Sequence, residues 1–532
     1  MKNKKFYFIF LAMLFVIGTA LTGCTSAPST DGTSNSAGGS SENDSKDNSS
    51  SGEGGGELII AVLSDATQLD PHKGTDVPSA NVYGKIFDNL VVQDENMDIQ
   101  PALATEWTKL DDLTWEFKLR EGVTFHDGEP FNAEAVKKSI ERVLDPELAS
   151  PRASLFKMIS EIKVVDEFTI QFVTEYPFAP LLANFAHYSG GIISPKAIAE
   201  NGDDLNQNPA GTGPFKFDSW TPGAEIRLVT NKDYWGDIPK VDSVVFKVVP
   251  EDATRIAMVE TGEAHIAEPV PVTEIERIEA SSTMKLYRNP ALGIDYIGFN
   301  LQKEPFDDVR VRQAINLAID TDMILQGVYN NVGTPATAPM GPGVWGHNPD
   351  LEGWGYDIEE AKKLLKEAGF ENGFKTTIWT NDNKARMDVA EVVQSQLKGI
   401  GVEVEIKVVE WGAYLEATSN GEHDMFILGW SNMTGDADYN QYFLFHTEAQ
   451  GEVGNRSFYS NPRVDELIDL GRQESDPEKR LAYYKEAQEI EMEEAPMVFL
   501  RNDEDVVALG KNVEGYWMHP AGSYMINDVT IK

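Results

Sequence analysis

Residues 374–408 read FKTTIWTNDNKARMDVAEVVQSQLKGIGVEVEIKV, and their pattern decides the fold class. Phe374 to Trp379 is a short run rich in β-branched and aromatic residues, which predicts a strand. Lys384 to Leu397 places Ala390, Val393 and Leu397 on one side of a helix. Val402, Val404, Ile406 and Val408 then alternate with charged residues, the period of a second strand. Strand, helix and strand in this order make a βαβ unit, whose two strands run parallel.

The same signals recur outward from this unit. Asp357, with Glu360 three residues on, predicts a capping box for a helix ending at Gly369. Asn461-Pro462 and Asp476-Pro477 each supply a cap and a proline start for an amphipathic helix. Nearer the N-terminus, Leu58 to Val62 reads as a buried strand. Trp115, Phe117 and Leu119 alternate with polar neighbours, and Phe168, Ile170 and Phe172 repeat the pattern. Asn132 caps a helix with Ala133, Val136, Ile140 and Val143 on one face. The chain is therefore mixed α/β. At 532 residues it exceeds what one core holds, about 250–300, so at least two lobes are expected.

Composition narrows the function. Asp and Glu number 86 against 45 Lys and Arg, a formal charge of −41 that repels phosphate backbones and argues against a nucleic-acid partner. A single Cys excludes an internal disulfide framework and a cysteine-cluster metal site. Lys2, Lys4 and Lys5 precede the apolar run Phe6 to Ile17, the layout of an export signal over residues 1–23. Leu21-Thr22-Gly23-Cys24 resembles the lipobox of bacterial lipoproteins, which implies that Cys24 is lipidated, by acyl chains such as palmitate, and becomes the mature N-terminus. Residues 24–56 follow as a tether. From Thr25 to Gly56, 17 of 32 residues are Ser or Gly and none is a large hydrophobe, so the segment is expected to be a coil.

A search for catalytic chemistry returns little. Gly341 to Gly346 matches G-x-G-x-x-G in letters, but no strand precedes it and Pro342 breaks the turn-to-helix geometry. Asp436 to Asn440 begins like a calcium loop, but Gln441 and Thr447 stand where that loop needs Gly and Glu. The eight histidines show no helical ligand spacing, so no metal or other cofactor is expected. Nothing marks a nucleophile, and no catalytic residue is assigned.

Five stretches together carry a family resemblance. They are Gln68 to His72, Leu119 to Gly128, Gly211 to Phe215, Pro305 to Ile315 and Ala361 to Gly369. In this order they resemble the extracytoplasmic solute-binding protein family 5 of ABC importers, and the resemblance runs from Glu57 to Lys532. Gly429 to Ser431, Thr434 to Asp438, Phe458 to Asn461 and Gly515 to Pro520 are most similar to glutathione-binding and dipeptide-binding members. The resemblance implies a periplasmic-binding-protein-like fold (type II, cluster C): two α/β lobes joined by hinge strands. Lobe one would span 57–291, with an extra subdomain near 92–206 and a C-terminal return over 502–532; lobe two would span 292–501.

The implied function is binding, not catalysis. A lipid-anchored monomer on the outer face of the cell membrane would enclose glutathione or a di- or oligopeptide between its lobes and deliver it to an ABC permease and its ATPase. Two alternatives stay open: another solute, such as a nickel complex or an oligosaccharide, or a surface hydrolase. A peptide shut away from water needs a cation for its carboxylate and an anion for its ammonium. Arg386 is the cation candidate, at the position of the family's carboxylate-binding Arg; the alternative is a solvated helix arginine. Asp436, then Asp438, is the ammonium candidate, although the relatives' own ammonium-binding Asp falls at Met433 here. Either acid is equally readable as a backbone cap or turn former. Trp430, Trp411, Tyr439 and Trp517 are wall candidates. Asn455, Arg456 and Tyr459 are candidates for further polar contacts, Arg456 for a second carboxylate, and Thr75 and Asp76 are expected to face the cleft from lobe one.

Overall fold

A computed structural model describes residues 55–202 and 205–532. The signal, the lipobox with Cys24 and nearly all of the tether lie outside the described residues. No helix among those described is long and apolar enough to cross a membrane.

The βαβ unit forms as the periodicity dictates. Strands Lys375–Asn381 and Glu403–Val409 pair in parallel, with Ile378 opposite Ile406. Asn383 caps the helix Lys384–Leu397, its side chain accepting from the Arg386 N–H, and Val389, Ala390, Val393 and Leu397 are buried. This face closes on Ile378, Val402 and Val404 in one apolar cluster. Each fully buried side chain of this size contributes roughly 1.5–3 kcal/mol. The expected caps also form: Asn132, Asp357, Asn461 and Asp476 each accept from backbone N–H groups of the helices they open.

One large sheet organises the rest. Its strand order is Glu403–Val409, Lys375–Asn381, Met425–Ser431, Met284–Phe299, Met497–Gly510, Ile266–Glu268, Glu57–Val62, Ser243–Val248, Glu225–Thr230 and Phe215–Thr221. The two long central strands, Met284–Phe299 and Met497–Gly510, run antiparallel through both halves of the molecule. Their register breaks between Pro290 and Ile294. On one side of the break they join Met425–Ser431 and the βαβ unit; on the other they join Ile266–Glu268 and Glu57–Val62. These are the two α/β lobes, and the crossing strands connect them.

A separate four-stranded antiparallel sheet, built from Ala104–Lys109, Thr114–Leu119, Thr169–Thr174 and Ile159–Asp166, packs Phe117 and Phe172 on Phe185 with ring centroids 4.7–5.6 Å apart. Two of the recognisable phrases explain themselves here. Asp70 takes two bonds from the Arg142 guanidinium, at 2.7 and 3.1 Å, beside buried His72, so Leu69 to His72 is a buried staple. At Gly211 a Cβ would stand 2.2 Å from the Ile86 carbonyl oxygen, so only glycine allows that backbone approach.

Candidate functional site

A cavity of about 600 Å³ opens where the crossing strands change partners. Ile226, Phe246 and Glu268 line it from one lobe, and Arg386, Trp411 and Trp430 from the other. Gly293 to Asp295, Arg501 and Asp503 to Val506 line it from the crossing strands themselves.

Arg386 stands in the first turn of the helix Lys384–Leu397, half-buried, and lines the cavity. Its Nη1 donates to Asn381 at 3.1 Å, and its guanidinium lies 5.7 Å from the Trp411 ring centroid. Among the described residues no carboxylate comes within 4 Å of it, so its charge has no fixed partner. Trp411 bridges the lobes: its indole N–H donates to Asp76 at 3.3 Å. Asp76 also accepts from the hydroxyls of Thr67 and Ser79, at 2.7 and 2.6 Å. Its carboxylate is thus already taken by this chain, although Thr75 and Asp76 both line the cavity. Trp430 stacks on Tyr439 and Phe443, at 5.3 and 6.0 Å, and its buried indole N–H meets no partner among the described residues. Arg456, only 4% exposed, lines the same cavity and donates from Nε to Thr418.

Five expected residues are placed elsewhere. Asp436 does not line the cavity; it caps the helix Ala437–Phe445 and takes both Nη groups of Arg480 at 2.6 Å. Asp438 is buried beside Arg472 at 3.1 Å and accepts from the Tyr484 hydroxyl. Neither carboxylate is free to meet a guest, which corrects the ammonium assignment. Asn455 is fully buried and spends its side chain on the His446 and Tyr459 carbonyls. Tyr459 is buried against Phe445, and Trp517 packs beside His519 on a strand whose neighbour Met518, not Trp517, reaches the cavity. Met433 does line the cavity.

The structure supplies acids in another place. Arg501, Asp503 and Asp505 share a face of the crossing strand by the two-residue period. Arg501 is engaged by Asp295 and Asp503, each at 2.8 Å. Asp505 has no cation within 4 Å among the described residues, and its buried Oδ2 has no hydrogen-bond partner. Burial, then Asp503 and Glu268 beside it, push the Asp505 carboxyl well above the usual range. Burial likewise raises Glu268, which accepts from the Tyr524 hydroxyl at 2.6 Å. Carboxyls whose ionisation is disfavoured in this way are the ones a cationic group would favour in their charged form. Arg152, from the loop before Ile159–Asp166, adds a further buried cation, 2% exposed.

Residues 98–452 match the model of the bacterial extracellular solute-binding proteins, family 5. The chain belongs to this family. It is 33% identical over 485 residues to the glutathione-binding protein GsiB of Escherichia coli O1:K1, covering 90% of this chain and 94% of that one. The fold matches the DppA binding protein of Helicobacter pylori, associated with an ABC transporter and solved with the peptide STSA, at a TM-score of 0.85 and 33% identity over 90% of this chain and 98% of that one. It also matches a dipeptide-binding protein of a Pseudoalteromonas species in complex with Met-Leu, at a TM-score of 0.85 and 27% identity, covering 90% of this chain and all of the other. Family 5 members are extracellular binding proteins, and the two-lobed fold with its cavity at the crossing strands is that of a solute carrier.

Proposed function

We propose that the chain captures a small peptide, glutathione first among the candidates, and delivers it to the permease of an ABC importer. The observation that carries this reading is that unpaired groups of both kinds line the cavity. Among the described residues, Arg386, Arg152 and Arg456 border it with no carboxylate within 4 Å, and Glu268 and Asp505 border it with no cation within 4 Å. A guest with a carboxylate and an ammonium satisfies both, and each lost hydration shell is replaced by a charged partner. Arg386 receives a carboxylate in its planar fork. Asp505 and Glu268, with Asp503 beside them, receive the ammonium. Trp411, Trp430 and Tyr439 supply the walls, and the free Trp430 N–H suits an amide carbonyl.

The lobes in this reading span 57–291 with the return over 502–532, and 292–501, with the added subdomain near 92–206. The register break between Pro290 and Ile294 supports the first boundary. A guest that binds the closed arrangement better than the open one shifts the population toward closure, the form a permease meets. Cys24 carries the lipid that holds this monomer at the membrane, and the ATPase subunits belong to the importer.

Calorimetric titration of the purified chain with glutathione, Met-Leu and a tetrapeptide tests the reading. At least one should bind with a Kd of about 1 μM or tighter, near −8 kcal/mol. Binding of none of them refutes it, and native mass spectrometry would then identify any co-purified solute.

A further inference from the structure

Arg152 and Arg456 line the same cavity, and both are charged, almost wholly buried and without a carboxylate within 4 Å among the described residues. Arg152 is only partly occupied: Nε donates to the Gly74 carbonyl at 2.9 Å and Nη1 to the Tyr439 hydroxyl at 3.3 Å. Arg456 spends Nε on Thr418 at 3.1 Å. Most N–H donors of both guanidinium groups are left over. The two cations also act on one another, since Arg152 is among the charges that disfavour the ionised form of Arg456, after burial.

A buried guanidinium is ordinarily held by a carboxylate, as Arg472 is by Asp438 and Arg480 by Asp436 a short way off. Among the described residues, this chain places no carboxylate within 4 Å of Arg152 or Arg456. Two like charges brought together in a dry pocket call for an anion between them. Arg152 is fixed through Gly74 and Tyr439, and Arg456 through Thr418, so they approach the cavity on separate supports. Phe443 ties the two together: the Arg152 guanidinium lies 5.9 Å from its ring centroid, and Gly454, whose carbonyl takes the Arg456 backbone N–H at 2.8 Å, packs against the Phe443 carbonyl and the Trp430 ring.

We propose that Arg152 and Arg456 form a second anion subsite, separate from Arg386, that takes a second carboxylate of the same guest. The favoured guest then carries two carboxylates and one ammonium, and a peptide with a single carboxylate leaves this subsite unfilled. The proposal rests on the reading above that a peptide-like guest enters this cavity.

The test compares glutathione with two derivatives that each lack one carboxylate: its glycine ethyl ester, and γ-aminobutyryl-cysteinylglycine, which lacks the glutamyl carboxylate. The purified chain should bind glutathione at least about tenfold more tightly than either. In Arg152→Gln and Arg456→Gln, glutathione should weaken by at least about tenfold, while one of the two derivatives, the one lacking the matching carboxylate, binds as it does to the unaltered chain. Equal binding of all three compounds by the unaltered chain overturns the proposal. So does a variant that melts normally yet weakens all three alike. If no peptide binds at all, the guest reading fails on its own, and sulfate tests the subsite directly. Sulfate at millimolar concentration should then raise the melting temperature of the unaltered chain and of neither variant, and no shift in the unaltered chain overturns the subsite.

Discussion

Replacing Asp436 should damage the fold and spare the guest. Its carboxylate is bound by both Nη groups of Arg480 at 2.6 Å, and the two side chains are only 15% and 8% exposed. Breaking a buried pair by removing one partner costs about 3–5 kcal/mol, because the other charge is left buried. Two features place Asp436→Asn at the lower end. Asp438 still attracts Arg480, and the guanidinium lies 4.5 Å from the Trp345 ring centroid, a cation–π contact that survives. Asparagine also keeps the cap, which now accepts from the Asp438 N–H at 2.8 Å. Asp436→Asn should therefore cost about 3 kcal/mol. Asp436→Ala, which loses the cap too, should cost about 1 kcal/mol more. Denaturant unfolding followed by tryptophan fluorescence measures the loss, and titration with whichever peptide the unaltered chain binds measures affinity. The reasoning fails if Asp436→Asn stays within 1 kcal/mol of the unaltered stability while peptide affinity falls about thirtyfold or more, the result an ammonium ligand would give.

Arg386→Ala should weaken a carboxylate guest by about 2–5 kcal/mol, and a C-terminally amidated peptide by much less, if the pair is desolvated. Titration of the two peptides side by side reads the difference, and an equal loss for both removes Arg386 from the site. Glu491 is fully buried, accepts from Gln441 at 2.9 Å and is pushed up to about 8, by burial before anything else. The folded form therefore holds a proton that the unfolded chain releases near pH 4.5, so this contribution is complete below that pH and is lost as pH rises toward 8. Glu491→Gln should flatten the fall in melting temperature between about pH 5 and 8, and an unchanged pH profile refutes the assignment. Cys24→Ala should release the protein from the membrane fraction into the medium, read by fractionation, since acyl chains are the proposed anchor.

The parts of the fold legible in the sequence are those whose cause is local. The helix Lys384–Leu397 announces itself by its buried stripe, the strand before it by a run of β-branched and aromatic residues, and the strand after it by alternation. The order of the large sheet has no such signal. Met284–Phe299 pairs with Met497–Gly510 across some 200 residues, and Met425–Ser431 enters between the crossing strands and the βαβ unit. Asp436 and Asp438 were open to misreading for the same reason. An acid before a helix looks alike whether it caps, pairs or binds, and the arginines that decide the matter, Arg480 and Arg472, lie more than 30 residues further on. Arg152 carried no signal of its own, because nothing in Pro151-Arg152-Ala153 shows that the loop turns its charge into a cavity.

The acids of the crossing strand were different, because their signal is present and physical. Met497 to Leu500 and Val506 to Leu509 are apolar, as befits a strand buried on both faces, and between them stands Arg501-Asn502-Asp503-Glu504-Asp505. Five polar residues in the middle of a buried strand cannot sit in a packed core without partners. They fit only where the sheet loses its cover, and in a strand shared by two lobes that place is the gap between them. The burial pattern follows suit, with buried residues at both ends and partly exposed ones throughout the charged run. A charged interruption within a long apolar strand thus marks where such a carrier opens toward its guest. In this chain its alternate residues, Arg501, Asp503 and Asp505, all border the cavity, and Asp505 does so with an oxygen that no other group among the described residues satisfies.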